Sequence, residues 1–392
     1  SGECMPMQKE RKITFPKGRK LKIMQVSDPQ DMHIVRSAML KMLNAAYAKE
    51  KPDLIVFTGD NILGNHVDDS IIGPIKNKKK SVTAKRIKKA LGYILKPVNK
   101  LKIPFCMIYG NHDDRNSLTK QEQAEFYKEY EYFVGLNSDE PELDCDTYNL
   151  PIYDSNGEKI VYNLWLMDSA GVDDNGENGY EYVKKEAVEW YKRKSDELRE
   201  QNGGEPVMSL MFQHIPIPQT VELFKECLED DPKALRSPFN DGKFYKLDEE
   251  KAKGYAFEYP EVCEKDFGQL DAIKEKGDVC ALVFGHDHTN SFTAKIDGVN
   301  IVQTSGASFR SYGNMISRGV RIFEIDENDT SSFTTRNLGY FDLFGKGFFS
   351  ILRYIMGADE QEKKRNLIWI LSAIFIVALI VYLLGATHLL NF

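Results

Sequence analysis

The 392-residue sequence is poor in cysteine and histidine, with six and seven respectively. Six cysteines in so long a chain make no disulfide framework, and none of their spacings is the Cys-x-x-Cys of a zinc site. Cys106 and Cys280 fall in apolar, strand-like runs, where a free thiol behaves as a small hydrophobe. Cys4, Cys145, Cys227 and Cys263 fall in loop-like sequence, where a bridge stays open. Positive charge is not in excess. The formal net charge is −7, which does not suit nucleic acid, and no nucleic-acid partner is expected. The glycine fingerprints of Rossmann and P-loop nucleotide binders are missing, as are internal repeats and any serine or cysteine nucleophile motif. Hydrophobic residues make up 42%, enough to bury a core without disulfides.

The C-terminus differs from the rest. Residues 367–384, LIWILSAIFIVALIVYLL, carry no charge and no polar face. That length suffices to cross a bilayer, so a transmembrane helix is expected at 367–385 with a short tail at 386–392. Lys363, Lys364 and Arg365 precede the run and no lysine or arginine follows it, so the positive-inside rule places the preceding domain on the cytoplasmic side. Residues 339–366 form a juxtamembrane segment. Its aromatic stretch 340–356 suits either the membrane interface or a last helix packed on the domain.

Between a lead at 1–20 and that segment, strand-like runs recur at 21–28, 53–59, 103–109, 160–167, 206–213, 279–284, 299–304 and 319–325. Several are continuously apolar, as in sheets covered on both faces. Helical patterns occupy 35–50, 117–133 and 183–200. The alternation predicts a layered α/β domain over 21–338, with ligands at the carboxyl ends of the strands. Two polar insertions, 61–82 and 217–268, either wall that site or are plain surface. The basic stretch Lys76–Lys89 is either a solvated helix entry or an attractor of anionic headgroups or phosphorylated substrate.

Metal-binding residues end these runs. Ile23 to Asp28, Val56 to Asn61, Met107 to Asp113, Leu210 to His214 and Leu282 to His288 each close an apolar run with Asp, Asn or His, and four of the seven histidines lie there. Two divalent ions about 3.5–4 Å apart can polarise a phosphoryl oxygen and supply a hydroxide nucleophile. Such a centre needs a carboxylate that reaches both ions, further N and O ligands, and an acid for the leaving oxygen. Asp60 after Gly59 suits the bridge. Asn111 offers a neutral carbonyl, and His112 is the natural acid. His286 and His288 need a turned backbone to face one site, which Gly285 allows. Taken singly, Asp28 or Asp60 could cap a helix, Asn111 could serve a turn, and His214 could be a satisfied core residue.

The series Asp28, Gly59-Asp60-Asn61, Gly110-Asn111-His112-Asp113, His214 and Gly285-His286-Asp287-His288 resembles the calcineurin-like metallophosphoesterase superfamily over residues 20–325. Phe57-Thr58-Gly59-Asp60-Asn61-Ile62, Gln213-His214-Ile215-Pro216-Ile217-Pro218 and Gly285-His286-Asp287-His288-Thr289-Asn290 are similar to the small phosphatases grouped with purple acid phosphatases. The resemblance implies a β-sandwich flanked by helices. It also implies two divalent metals (manganese, iron, zinc or magnesium) and a phosphorylated substrate. Asp28, Gln30, Asp60 and His288 would hold the first ion. Asp60, Asn111, His214 and His286 would hold the second. His112 would protonate the leaving group, oriented by Asp113 or Asp168.

Two departures stand out. The family's first motif is usually Asp-x-His, whereas Asp28-Pro29-Gln30 carries glutamine, a carbonyl ligand better suited to hard ions. His33 is a substitute only if the loop folds back. The position of the purple enzymes' iron-binding tyrosine holds Leu63, so no tyrosinate–iron colour is expected. Asn61 and Arg310, the latter with Tyr312 in a late loop, are candidates for substrate contact. The expected activity is that of a membrane-anchored phosphomonoesterase, in which a metal-bridging hydroxide attacks phosphorus. A diesterase acting on nucleotides or lipid headgroups, and a non-catalytic metal-binding module, are the alternatives.

Overall fold

The computed structural model describes residues 11–69, 79–136, 138, 140–169, 182–263 and 265–389. Sixteen strands occur among them: β1 (Ile13–Thr14), β2 (Leu21–Val26), β3 (Leu54–Thr58), β4 (Phe105–Ile108), β5 (Tyr148–Tyr153), β6 (Ile160–Leu166), β7 (Ser209–Phe212), β8 (Phe224–Cys227), β9 (Leu235–Arg236), β10 (Phe244–Leu247), β11 (Ala252–Tyr255), β12 (Val279–Phe284), β13 (Ser291–Ile296), β14 (Val299–Gln303), β15 (Gly319–Asp326) and β16 (Asp329–Gly339). The helices are α1 (Ser37–Glu50), α2 (Lys80–Lys100), α3 (Lys120–Lys128), α4 (Lys185–Gln201), α5 (Gln269–Lys276), α6 (Tyr340–Phe344), α7 (Phe348–Gly357) and α8 (Glu360–Leu389).

Two sheets face each other. The larger runs β1-β5-β6-β7-β12-β14-β13-β11, and the smaller runs β16-β15-β2-β3-β4. Alternation along the strands decides what each face meets. Leu21 and Ile23 of β2, with Leu54 and Val56 of β3, point inward onto Leu164 of β6, Phe212 of β7 and Val283 of β12. Met24 and Val26 point outward beneath α1 and α2, where Met42, Leu43, Leu91 and Leu95 cover them. On the opposite side Trp165, Met211 and Leu282 pack under α4 and α5. The architecture is the expected α/β sandwich flanked by helices. Burying each such aliphatic or aromatic side chain contributes roughly 1.5–3 kcal/mol.

All eight expected strands are present. Helix α3 differs from its expected range of 117–133. Thr119 caps it: its hydroxyl accepts from the Glu122 amide at 3.2 Å while the Glu122 carboxylate accepts from the Thr119 amide at 2.9 Å. The five described cysteines are free. In the 217–268 insertion, β8, β10 and β9 form a small separate sheet and β11 extends the larger one. Residues 70–78 of the other insertion, with Lys76–Lys78 of the basic stretch, lie outside the described residues. The rest of that stretch begins α2. Helix α8 is long and apolar enough to span a membrane, and none of its apolar window is buried.

Candidate dinuclear metal site

Strands β2, β3 and β4 run parallel in one sheet, and β7 and β12 run parallel in the other. Their carboxyl ends therefore bring Asp28, Asp60, Asn111, His214 and His286 together. The backbone is strained where it delivers these groups: Asp28, Asp60 and His286 have φ of 47°, 47° and 69°. Such values in non-glycine residues cluster at functional sites. Gly59 has φ of 90°, and a Cβ there would strike the His214 ring; a Cβ on Gly110 would strike Asp60. Both positions must be bare for the strand ends to meet.

Asp60 lies at the centre. Its Oδ1 accepts the His112 amide at 2.8 Å and lies 3.6 Å from His214 Nε2. Its Oδ2 accepts Gln30 Nε2 at 2.8 Å and lies 3.9 Å from His112 Nε2. Asp28 Oδ1 lies 3.3 Å from His288 Nε2 and 3.9 Å from His214 Nε2. Asp28 Oδ2 accepts from Ser27 Oγ and from the His286 amide. Asn111 Oδ1 is 3.1 Å from His214 Nε2, and the rings of His214 and His286 are 5.1 Å apart.

The histidine tautomers test whether cations fit. Backbone carbonyls only accept hydrogen bonds. His214 Nδ1 is 2.9 Å from the Thr58 carbonyl, so it carries the proton and Nε2 is left as a lone pair. That lone pair faces the Asn111 carbonyl oxygen and two carboxylates. His288 repeats the arrangement: Nδ1 donates to the Tyr312 carbonyl at 3.1 Å, turning Nε2 toward Asp28. Carbonyl-oriented imidazoles of this kind are typical of metal ligands. The buried Gln30 Oε1 also has no hydrogen-bond partner. Acceptors converging on a shared space fit divalent cations and disfavour an empty site.

The electrostatics agree for His214 and His286; at His288 burial pushes downward but Asp28 outweighs it and raises the ring above the ordinary imidazole value. Burial holds the Asp60 carboxyl well above its ordinary range, reinforced by Asp28 and Asp113. For Asp28 burial pushes upward, but His214 and His288 outweigh it and draw it down to about 2. Burial holds His214 and His286 below the ordinary imidazole value, favouring the neutral ligand form.

His112 is the most open of these side chains, 25% exposed. Its Nδ1 lies 3.0 Å from Asn65 Oδ1, an acceptor, so Nε2 is the nitrogen presented to the site. Neither residue expected to orient this ring does so. Asp113 is buried and accepts the amides of Asn61, Ile62 and Gly110, tying the loops after β3 and β4 together. Asp168 instead pairs with Lys120 Nζ at 2.7 Å. Asn65, from the first insertion, takes the position. Its only sequence signal was lying in a polar segment just past Asp60.

The substrate-contact candidates are turned elsewhere. Asn61 is buried and donates to the Ile108 carbonyl at 2.8 Å. The Arg310 guanidinium is engaged by Asp31 and the Ile34 carbonyl. His33 is not brought to the site; Arg86, Lys89 and Arg310 set its surroundings. The second insertion, one of the two segments that could wall the site, does so through Glu258 and Glu261. Glu258 accepts from Thr289 and, at 2.8 Å, from the Tyr312 hydroxyl. The Tyr312 ring stacks on His288 at 4.3 Å and 11°, and Glu261 lies 3.8 Å from His286 Nε2.

Carboxylates, an amide and imidazoles at the carboxyl ends of sandwich strands define a metallophosphoesterase class of site. The chain belongs to the calcineurin-like phosphoesterase family, whose description matches residues 21–290. It is 26% identical over 354 residues to the probable inactive purple acid phosphatase 29 of Arabidopsis thaliana, covering 81% of this chain and 80% of that one. It is 25% identical over 309 residues to phosphatase DCR2 of Saccharomyces cerevisiae, covering 74% of this chain and 46% of that one. Among solved structures, a dimetal phosphatase from Danio rerio is similar at 12% identity and a TM-score of 0.46, covering 78% and 93%.

Proposed function

We propose that this chain is a dinuclear-metal phosphoric-ester hydrolase acting on a phosphomonoester, tethered to a membrane by α8 with its catalytic domain on the cytoplasmic side. The observation that carries the reading is the ring orientation: His214 and His288 each spend Nδ1 on a carbonyl, which turns Nε2 of His214 toward Asp28 and Asp60 and Nε2 of His288 toward Asp28. Asp28, Gln30, Asp60 and His288 would hold one ion; Asp60, Asn111, His214 and His286 would hold the other. When bound, the pair supplies Lewis-acid charge compensation and a water acidic enough to attack near neutral pH.

The chain's own groups supply the rest. His112 delivers a proton from Nε2 to the leaving oxygen, and Asn65 fixes which nitrogen faces it. Burial, with Arg115 next, pulls His112 down to about 3. An anionic phosphoester beside the ring supplies the opposite charge that draws it back up. The carbonyl of Gln30 favours hard ions such as manganese. The lysines and arginine in the first turns of α8, ahead of its apolar run, support the cytoplasmic orientation.

A non-catalytic metal-binding module is the second reading. Gln30 favours it, because its amide donates to Asp60 where the family usually places a histidine. Release of alcohol from a chromogenic monoester and a diester, with and without manganese, separates the readings. A manganese-dependent monoesterase that falls roughly 10²–10⁴-fold in His112→Ala supports the proposal. Equal turnover in His112→Ala contradicts it.

A further inference from the structure

Helix α7 has two apolar faces. Tyr354 and Ile355 are buried against the domain. Phe348, Phe349, Leu352 and Met356 project away from it, 73%, 73%, 43% and 68% exposed. At 100° per residue these four share an arc of roughly 100°, with the exposed Arg353 at its edge. A soluble surface does not ordinarily keep four large apolar side chains together in water.

What covers that arc is indicated by its neighbour. Helix α8 starts three residues after α7 ends, and its apolar window is wholly exposed. The two helices are held to the domain as one unit. Arg318, fully buried, donates to Tyr354 of α7 and to Asp359 and Glu362 at the start of α8. Arg36 donates to the Ala358 carbonyl at 3.4 Å in the connection between them. The exposed apolar arc is therefore continuous with the span and cannot swing freely away from it.

We infer that α7 is an interfacial helix: its Phe348, Phe349, Leu352 and Met356 face sinks into the lipid leaflet beside the α8 span. Lys346, Arg353, Lys364 and Arg365 lie exposed around it, suited to anionic headgroups. The inference rests on the reading of α8 as the membrane anchor. It adds that the domain is seated on the bilayer instead of hanging from a tether. It also carries a consequence for the site. The loop between β14 and β15 lays Tyr312 on His288, Phe309 against Tyr354 at 5.4 Å, and Arg318 into the α7–α8 joint. One loop thus flanks both the metal site and the membrane-seated helices.

The test uses the full chain in vesicles of phosphatidylcholine and phosphatidylserine, with lipids brominated near the headgroup or deep in the acyl chain. Trp165 and Trp190 are buried in the core, and Trp369 lies on α8, so tryptophan emission reports each place separately. In Phe349→Trp/Trp369→Phe, the emission added at position 349 is expected to be lost most strongly to headgroup-proximal bromine. In the wild type, the contribution of Trp369 is expected to be lost to bromine as well. Quenching of Trp369 with none at position 349 overturns the interfacial helix and leaves the anchor standing. Quenching at neither position overturns the anchor itself.

Discussion

Arg318→Met tests how firmly the domain grips its C-terminal helices. Arg318 is fully buried, with Nε 2.9 Å from the Tyr354 hydroxyl and Nη2 at 3.1 Å and 2.9 Å from Asp359 and Glu362. Its guanidinium also lies over the Phe309 ring at 4.6 Å. Methionine keeps much of the stem volume but takes the buried counter-charge from Asp359 and leaves Glu362 only Arg365, at 3.7 Å. Removing one partner from such a cluster costs roughly 3–5 kcal/mol. Confined to the α7–α8 joint, that is a factor of roughly a hundred to a few thousand in the local opening equilibrium. Hydrogen exchange at the amides of Tyr354 and Ile355, in detergent-solubilised full chain, reads it directly, with β3 and β12 as unchanged internal controls. The pH dependence has a definite sign. Burial holds Glu362 above its ordinary value of 4.5, opposed mainly by Arg318. A carboxyl raised in the folded state stabilises below its ordinary range and loses that contribution as pH rises through its folded value. The variant removes the opposition, so its defect grows as pH rises above 4.5 and Glu362→Gln in the same chain recovers part of it. Exchange at α7 equal to wild type at pH 8 would refute the reasoning.

Other perturbations probe the site. Gln30→His restores the family's usual ligand, and the weaker metal affinity should tighten by roughly 10- to 100-fold in calorimetric titration; unchanged affinity would remove Gln30 from the ligand set. Saturating manganese at about 100 times its dissociation constant should stabilise the chain by about 2.7 kcal/mol, and Asp60→Asn should abolish the thermal shift. Asn65→Ala should lower turnover roughly 10-fold with little change in KM, and move the acid limb of the pH–rate profile, because the His112 tautomer is no longer fixed. Thr119→Ala removes the α3 cap and should cost about 1 kcal/mol in thermal unfolding without changing metal affinity.

Much of this was legible from residue order. Continuous apolar runs located the eight strands that carry or flank the site, because a strand buried on both faces leaves few polar positions to confuse the period. Strands β5 and β13 were not anticipated: the first contains Pro151, and the second mixes Ser291, Thr293 and Lys295 into its apolar positions. β16 is half exposed and polar, so its pattern resembles a loop. Asp28, Asp60, Asn111, His214, His286 and His288 could be singled out because each ends an apolar run. Contacts made across loops left no such trace. Asn65 reaches His112 from 47 positions away, and Glu258 reaches Tyr312 from 54. Asp113 invited a catalytic reading and Arg310 a substrate-contact reading by type and position. Their polar atoms are consumed by backbone amides and by Asp31, which only the folded chain reveals.

The most direct test of the account is the number of ions held by the purified full chain, by elemental analysis after manganese saturation and desalting, beside Asp60→Asn. Two ions per chain in the wild type and fewer than one in the variant are predicted, since Asp60 is the group proposed to serve both ions. Equal metal content in the two proteins, or none in either, would contradict the dinuclear centre.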